Sequence, residues 1–549
     1  MSPTSTDTTE TTDRRPWFAL AVLVSAISIS LINGTVLAVL MPEIIQDLDM
    51  TLLDAEWANA AYTLTFAALL LPVGWFGDRF GRRRMLLIGL VVFTLGSALV
   101  AGAGSGGALI FARFVQGMGG AIISPSTLST INATFHGRRR TVAFAIWGAA
   151  MGGAAAIGPL LGGWLAQVSD WRTAFWIVVP VAIAAFVGTL MFVDESRDTA
   201  QAPRFDLFGA LLSIGAMVLL VFGLIEGHSY GWVTPTADFA LLGITWGVDS
   251  PVSVVFVSLL LGAALAAMFV RHELAMSASG REPLADLRLF RYPSFRYGNI
   301  TVLIVMLGEF GVIFTLPLFL QVVLDFDTLT VGWTFVGLAS GALVAGGVVP
   351  QLAKRMPVSR LIVAGMVVEG SAALVLALTL STTSTLGTLV PILFFYGLGV
   401  GTASAQLTGA ILSDVSPAES GQGSAIQSTS RQLGSVLGTA LLGSILFATT
   451  VTQVGNSLED VPGLPEDRVN PIAEAIAQSG GTAVITLRDE VAAGSFEGTP
   501  QEPFTQPVIE ASTAGYTQAT RITMGAGGAI ILLGAVSATR LTRAPSRRQ

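Results

Sequence analysis

Cysteine is absent from all 549 residues, and histidine occurs only three times. The first absence excludes disulfides, thiolate nucleophiles and thiolate-bound metals. The second leaves little for imidazole chemistry. His136, His228 and His272 fall in or next to expected loops, with no paired acids or phosphate-binding loop beside them, so neither an enzyme activity nor a metal site is expected. Charge is scarce too, at 12% of residues against about 25% in a soluble domain. No polar stretch is long enough for a soluble domain that signals or hydrolyses nucleotide. Neither a cofactor nor a nucleic-acid partner is expected. What is abundant is apolar surface: 52% of residues are hydrophobic and the mean hydropathy is +0.70. This composition describes an all-α polytopic membrane protein, because only helices satisfy every backbone group within their own segment in lipid.

At roughly 20 apolar residues per crossing, fourteen spans are expected, near 17–41, 57–77, 84–103, 107–132, 142–166, 171–193, 206–226, 253–272, 297–323, 330–351, 359–381, 386–411, 421–450 and 521–541. The first run is too long for a signal-peptide core and has no small-residue cleavage site after it, so it is expected to stay as the first span. Basic residues test the count, since Arg- and Lys-rich short loops remain in the cytoplasm. With these spans, 23 of the 29 basic residues fall on one side, including Arg14, Arg15, Arg79, Arg82 to Arg84, Arg138 to Arg140 and the C-terminal arginines. Both termini are therefore expected in the cytoplasm, as tails at 1–16 and 542–549. Two connections stand out. Residues 452–519 read as an acidic, solvated outer loop with one amphipathic piece at "NPIAEAIAQ", and residues 227–252 contain an apolar core too short to cross, expected at the outer surface.

After the second span the chain reads "GWFGDRFGRRRML". Gly74 lets helices approach, Gly81 permits a tight turn, and Arg79, Arg82 and Arg83 anchor the loop at anionic headgroups. Asp78, an acid among these cations, can cap the next helix or form a breakable ion pair. A simple headgroup anchor would need the arginines but neither the acid nor the spaced glycines.

This GxxxDRxGRRR spacing resembles the signature of the major facilitator superfamily. "ARFVQGMGGA" (112–121), "GPLLGG" (158–163), "WRTAFW" (171–176), "FDLFGALLSIGAMVLLVFGLIEG" (205–227), "PLADLRLFR" (283–291) and "RQLGSVLGTAL" (431–441) extend the likeness to its fourteen-helix drug:proton antiporter family over nearly the whole chain. The resemblance implies the major facilitator fold: six-helix bundles at 17–193 and 297–541, the latter including the outer segment, two inserted helices at 206–272, and alternating access around a midplane site. It also implies a conformational role for the Asp78 loop, latching the halves on the cytoplasmic side. Gly158, Pro159, Gly162 and Gly163 match the family's antiporter motif, which implies export. One departure lies in the first span, where "LINGTVLAVLMP" (31–42) has Asn33 at the place of the family's usual acid. Asn33 can bond a substrate but cannot titrate.

Four charged or titratable side chains inside expected spans stand out: Glu309, Glu369, Arg113 and Arg431. A carboxylate at bilayer depth costs at least ~2.5 kcal/mol on insertion scales, and such residues are functional by default. Glu309, flanked by Gly308 and Gly311, could be a neutral core acid, a counter-ion for a cationic substrate, or a proton carrier whose affinity changes as its surroundings alternate between dry and wet. Glu369 is the second candidate, ranked lower because the family's arrangement puts its helix nearer the periphery. Arg431, beside Gln427, Ser428, Ser430 and Gln432, is a partner for either acid. Arg113 is either a static brace held by carbonyls and Gln116, or a group that biases protonation or substrate position.

Aromatic residues with cavity-facing potential include Trp57, Tyr62, Phe66, Phe144, Trp147, Phe310, Phe314, Phe394, Phe395 and Tyr396. Tyr62, Trp147, Phe310 and Phe314 join Asn33, Arg113, Gln116 and Arg431 as substrate-pocket candidates. An apolar, aromatic pocket with one or two acids suits lipophilic cations. The expected protein is a monomeric, multi-pass exporter in the cell membrane, exchanging hydrophobic or cationic drug-like compounds for protons. The alternative is a dedicated exporter of one endogenous metabolite or lipid. A membrane sensor or enzyme is a remote third reading that no motif favours.

Overall fold

A computed structural model describes residues 14–48, 50, 52–196, 205–227, 229–241, 244–281, 283–416, 419–496 and 502–543. Within those helices a minority of side chains, including those of Asp78 and Pro159, lie outside the described set, as do most residues of the two tails.

The chain is almost wholly helical. In order, the elements are α1 (Arg15–Leu48), α2 (Leu52–Phe80), α3 (Arg82–Ala101), α4 (Gly106–Thr134), α5 (Gly137–Val168), α6 (Arg172–Trp176), α7 (Val178–Phe192), α8 (Leu207–Ile225), β1 (Phe239–Leu241), β2 (Ile244–Trp246), α9 (Val254–Ala278), α10 (Pro293–Val322), α11 (Thr328–Leu352), α12 (Val358–Thr379), α13 (Leu386–Ile411), α14 (Ser420–Glu459), α15 (Glu466–Gln478), α16 (Thr482–Ala492) and α17 (Glu502–Ala538). Among the described residues, twelve candidate spans are long and apolar enough to cross a membrane, α6 and α7 together forming one of them. The helices α2 and α5, of 29 and 32 residues, have the length to complete the expected fourteen.

Helix ends follow local chemistry. Ser105, Asp206, Ser253 and Asp327 each accept a backbone N–H of the helix they precede, satisfying donors that have no partner within the helix. Large apolar side chains such as Leu95, Phe111, Ile183, Leu211, Leu260, Leu343, Leu378 and Leu533 are exposed on the outer faces, as lipid contact requires.

Helices α1 to α7 pack among themselves, and so do α10 to α14 with α17. The two groups meet chiefly along α5 and α11 and along α2 and α14. The α8–α9 pair packs on itself and leans on α2 and α14. At one end of the α5–α11 contact Gly163 lies against the Thr328 carbonyl. At the other, Arg-rich end, Arg140 donates to the Leu412 carbonyl at 2.7 Å. The halves therefore touch at both ends of the molecule.

One of the two unusual connections differs from its sequence reading. Residues 452–496 and 502–519 are no solvated loop. α14 runs on to Glu459, α15 and α16 follow, and the last long helix begins at Glu502, well before the expected 521. The amphipathic piece is α15, which buries Val469, Ala473 and Ile476. Tyr516 of α17 donates to the Gly480 carbonyl at 2.8 Å, and Arg488 pairs with Asp325. The segment is a docked helical cap, because a regular apolar stripe within an acidic stretch is enough to bury one face. Residues 227–252 carry a short antiparallel hairpin, β1 on β2, with Phe239 opposite Trp246. The Trp246 indole N–H donates to the Val252 carbonyl at 2.8 Å.

Candidate functional site

Two buried polar groups lie inside the helical core, one in each half. The first is built around Arg113 of α4, which is fully buried. Its Nε donates to the Ala58 carbonyl at 3.1 Å, one Nη to Asn33 Oδ1 at 3.0 Å, and the same nitrogen to Gln116 Oε1. Gln116 passes the chain on, donating to Ser97 Oγ at 2.9 Å. Tyr62 lies with its ring 4.5 Å from the guanidinium carbon, and its hydroxyl sits 2.6 Å from Ser30 Oγ. Four of the pocket candidates, Asn33, Tyr62, Arg113 and Gln116, are thus one cluster. Every described acceptor around the guanidinium is a neutral oxygen.

The second group lies in α10, α12, α13 and α14. Glu309 is 8% exposed and one of its carboxyl oxygens has no hydrogen-bond partner among the described residues. Glu369 is completely buried and neither of its oxygens has one. The Tyr396 hydroxyl is likewise buried without a partner. Glu309 lies close enough to Arg431 and to Glu369 for electrostatic interaction, and Tyr396 lies in the field of both acids. No ion pair closes between Arg431 and either acid among the described residues. The expected partnership of Glu309 with Arg431 is present as proximity.

Close backbone approach puts Glu369 there. A Cβ on Gly399 of α13 would lie 2.5 Å from the Glu369 nitrogen, closer than real Cβ atoms come, so only glycine lets α13 pass α12 at this point. Glu369 faces α13 inside the C-terminal half. Although the family's arrangement puts its helix nearer the periphery, the Glu369 side chain itself is completely buried.

The remaining candidates scatter. Trp147 is buried in the N-terminal core, and its indole N–H has no partner among the described residues. Phe310 is half-buried against the main core. Phe314 is 40% exposed, and a Cβ on Gly443 of α14 would lie 3.8 Å from its ring. Gly158, Gly162 and Gly163 are buried on α5, the helix that packs on α11 of the other half.

In the Arg-rich loop, Gly81 holds φ at 106°, a left-handed conformation that favours glycine. The turn brings the Arg83 backbone N–H to Glu195 Oε1 at 3.2 Å and the Arg83 guanidinium to the Leu190 carbonyl at 2.6 Å. Arg82 is buried, Arg79 is exposed and Gly74 is buried. These described contacts run to the end of α7 in the same half.

A third cluster was missed. His272 Nε2 lies 2.7 Å from Asp206 Oδ2, and Glu273 completes a trio whose ligand atoms lie within 4.8 Å of one another. The reading that no acids accompany the histidines is therefore wrong for His272, and the helix α9 that carries it runs on to Ala278. Asp206 is distant in sequence, and only the packing of α8 on α9 brings it near. The trio also has a structural task. Asp206 caps α8 through the Gly209 N–H at 2.9 Å, and Glu273 accepts the Ala285 N–H at 3.1 Å. Gln422 of α14 then binds the Asp286 N–H and the Pro283 carbonyl, tying the inserted pair to the C-terminal half.

Two packed helical halves, a helix pair between them and buried charges near the middle define a membrane transporter of the major facilitator type. The model of the Major Facilitator Superfamily matches residues 19–439, and the chain belongs to that superfamily. It is 33% identical to the multidrug efflux pump LfrA of Mycolicibacterium smegmatis over 87% of this chain and 89% of that protein. It is 32% identical to a probable actinorhodin transporter of Streptomyces coelicolor over 81% of this chain and 75% of that protein. The tetracenomycin C resistance and export protein of Streptomyces glaucescens is 31% identical, over 80% and 77% of the two chains. Among solved structures, the human organic anion transporter MFSD10 shares the fold at a TM-score of 0.57 and 12% identity, covering 95% of this chain and 98% of that one.

Proposed function

We propose that this transporter exports hydrophobic, drug-like small molecules across the cell membrane in exchange for protons, as a monomer with both termini in the cytoplasm. The observation that carries the reading is the cluster of Glu309, Glu369 and Tyr396 beside Arg431, with three carboxyl oxygens lacking partners among the described residues. Unpaired carboxyl oxygens in a dry core are costly as anions and suit a group that holds a proton. Opening the halves toward water, or moving Arg431 nearer, changes that proton affinity, so the cluster can load on one side and unload on the other. Small-residue packing of α5 on α11 supplies a surface on which the halves can rock. The loop around Asp78 belongs to this proposal as the conformational element. Multidrug and single-antibiotic exporters among the relatives support both a broad and a dedicated substrate range.

The test uses purified protein in liposomes, reading substrate-driven proton movement in wild type, Glu309→Gln and Glu369→Gln. Coupling is expected to disappear in at least one variant with melting behaviour retained. If both variants move protons like wild type, the acids are not carriers. Uptake into everted vesicles across a varied compound panel, with and without a pH gradient, separates broad drug export from export of one metabolite.

A further inference from the structure

We propose that Arg113 and Asn33 form a binding site for a singly charged anionic group, supplied by an acid-bearing organic compound or by a halide. The argument begins with hydrogen-bond inventory. A guanidinium has donors only, so the oxygen of the Asn33 amide must face it, as the 3.0 Å contact shows. That leaves the Asn33 amide nitrogen pointing elsewhere, and among the described residues it finds no acceptor. The second terminal nitrogen of Arg113 finds none among them either. Both unmatched donors belong to the two groups that share one hydrogen bond. Both residues are buried, at 0% and 1% exposure.

Charge points the same way. A guanidinium stays protonated, and the described partners of Arg113 are the Ala58 carbonyl, the two amide oxygens and the face of Tyr62. None carries a full negative charge. A buried cation with neutral partners and two spare N–H groups is complementary to a carboxylate or a halide, which supplies the missing charge and accepts both donors. Tyr62, tied to Ser30, fixes one wall. On α1 the next residue, Gly34, borders open space, for a Cβ there would meet nothing within 4 Å.

The inference rests on the transport reading for where an organic anion comes from, while binding itself can be read without transport. The experiment is a thermal-melt titration of the purified full chain with benzoate and, separately, with bromide, using sulfate at matched ionic strength as the reference, for wild type and Asn33→Asp. Asn33→Asp places a carboxylate where the amide now faces Arg113, so it is expected to melt higher without added anion. It should also bind benzoate at least ~10-fold more weakly, since like charges then share the site. Stabilisation of wild type by benzoate alone identifies an organic acid as the ligand, and stabilisation by both anions identifies a site for any small monoanion. Response to neither anion, or an unchanged response in Asn33→Asp, overturns the proposal. If benzoate binds as expected while everted vesicles export nothing, the transport reading fails and the anion site stands.

Discussion

Replacing Glu369 by Met should make the protein more stable while destroying its coupling. Both carboxyl oxygens are fully buried and lack partners among the described residues, and each buried unsatisfied polar group costs ~1–3 kcal/mol. Taking the carboxyl as one such group gives a gain of about 2 kcal/mol on removal. Methionine is the right substitute, because a Cβ on Gly399 would come within 2.6 Å of the Glu369 Cβ. There is no room for a side chain branched close to the backbone, whereas the unbranched thioether follows the path of the glutamate. For a cooperative unit the size of one half, each kcal/mol moves the melting temperature by roughly 2–4 °C, so a rise of about 4–8 °C is expected. The assay is melting of purified protein at one fixed scan rate, because detergent-solubilised chains unfold irreversibly and only matched scans compare. Substrate-driven proton movement is measured on the same preparations in liposomes. A lower melting temperature in Glu369→Met would show that the carboxyl is held by hydrogen bonds and is structural. Retained coupling would remove it from the proton path.

Tyr516→Phe removes the bond to the Gly480 carbonyl and should cost about 0.5–1.5 kcal/mol. Limited proteolysis should then cut faster between 459 and 502, and an unchanged pattern would mean the cap is held by apolar burial alone. Gly399→Val forces backbone apart where α13 passes α12 and should destabilise by at least ~1–3 kcal/mol, read as lost folded yield beside a Gly409→Val control, whose Cβ would meet nothing within 4 Å. The Trp171 indole and then the Arg172 guanidinium bond Asp47 and hold its carboxyl below the ordinary carboxylate value. A depressed value in the folded state means stabilisation present above the ordinary carboxylate pKa and lost as pH falls through the folded one. Asp47→Asn should accordingly melt below wild type at neutral pH, with the gap closing in acid below the usual carboxylate range; a pH-independent gap would assign the effect to packing.

Most spans were legible because a long continuous apolar run marks a helix fit to cross a membrane. Glu309, Glu369, Arg113 and Arg431 stood out for the same reason, as charges at the wrong depth. Hydropathy reports depth but not which way a helix face turns, so the sequence could not show that Asn33, Tyr62, Arg113 and Gln116 share one cluster, or that Tyr396 joins the two acids. The Asp206–His272 pair depends on α8 lying on α9, a contact between residues 66 apart that leaves no local pattern. The cap formed by α15 and α16 was misread for a different reason. Its mean composition is polar, and a window average hides the stripe of Val469, Ala473 and Ile476 that α15 buries.

The two halves carry opposite kinds of deficit. Among the described residues, the N-terminal half holds a cation with only neutral partners and two donors without acceptors, while in the C-terminal half three carboxyl oxygens and a phenol lack hydrogen-bond partners. Mutual neutralisation would be the cheapest repair, yet Arg113 sits on α4 and the acids on α10 and α12, and neither of those helices packs closely against α4. On the proposed function each deficit is met by something brought in: a proton for the acids, an acceptor for the arginine. A core selected only for stability would have lost these groups, since apolar replacements of similar volume are often neutral or stabilising. Their shared feature is that a mobile species can satisfy each of them at one stage of a cycle and leave at another, which is the physical requirement for exchanging one cargo against another.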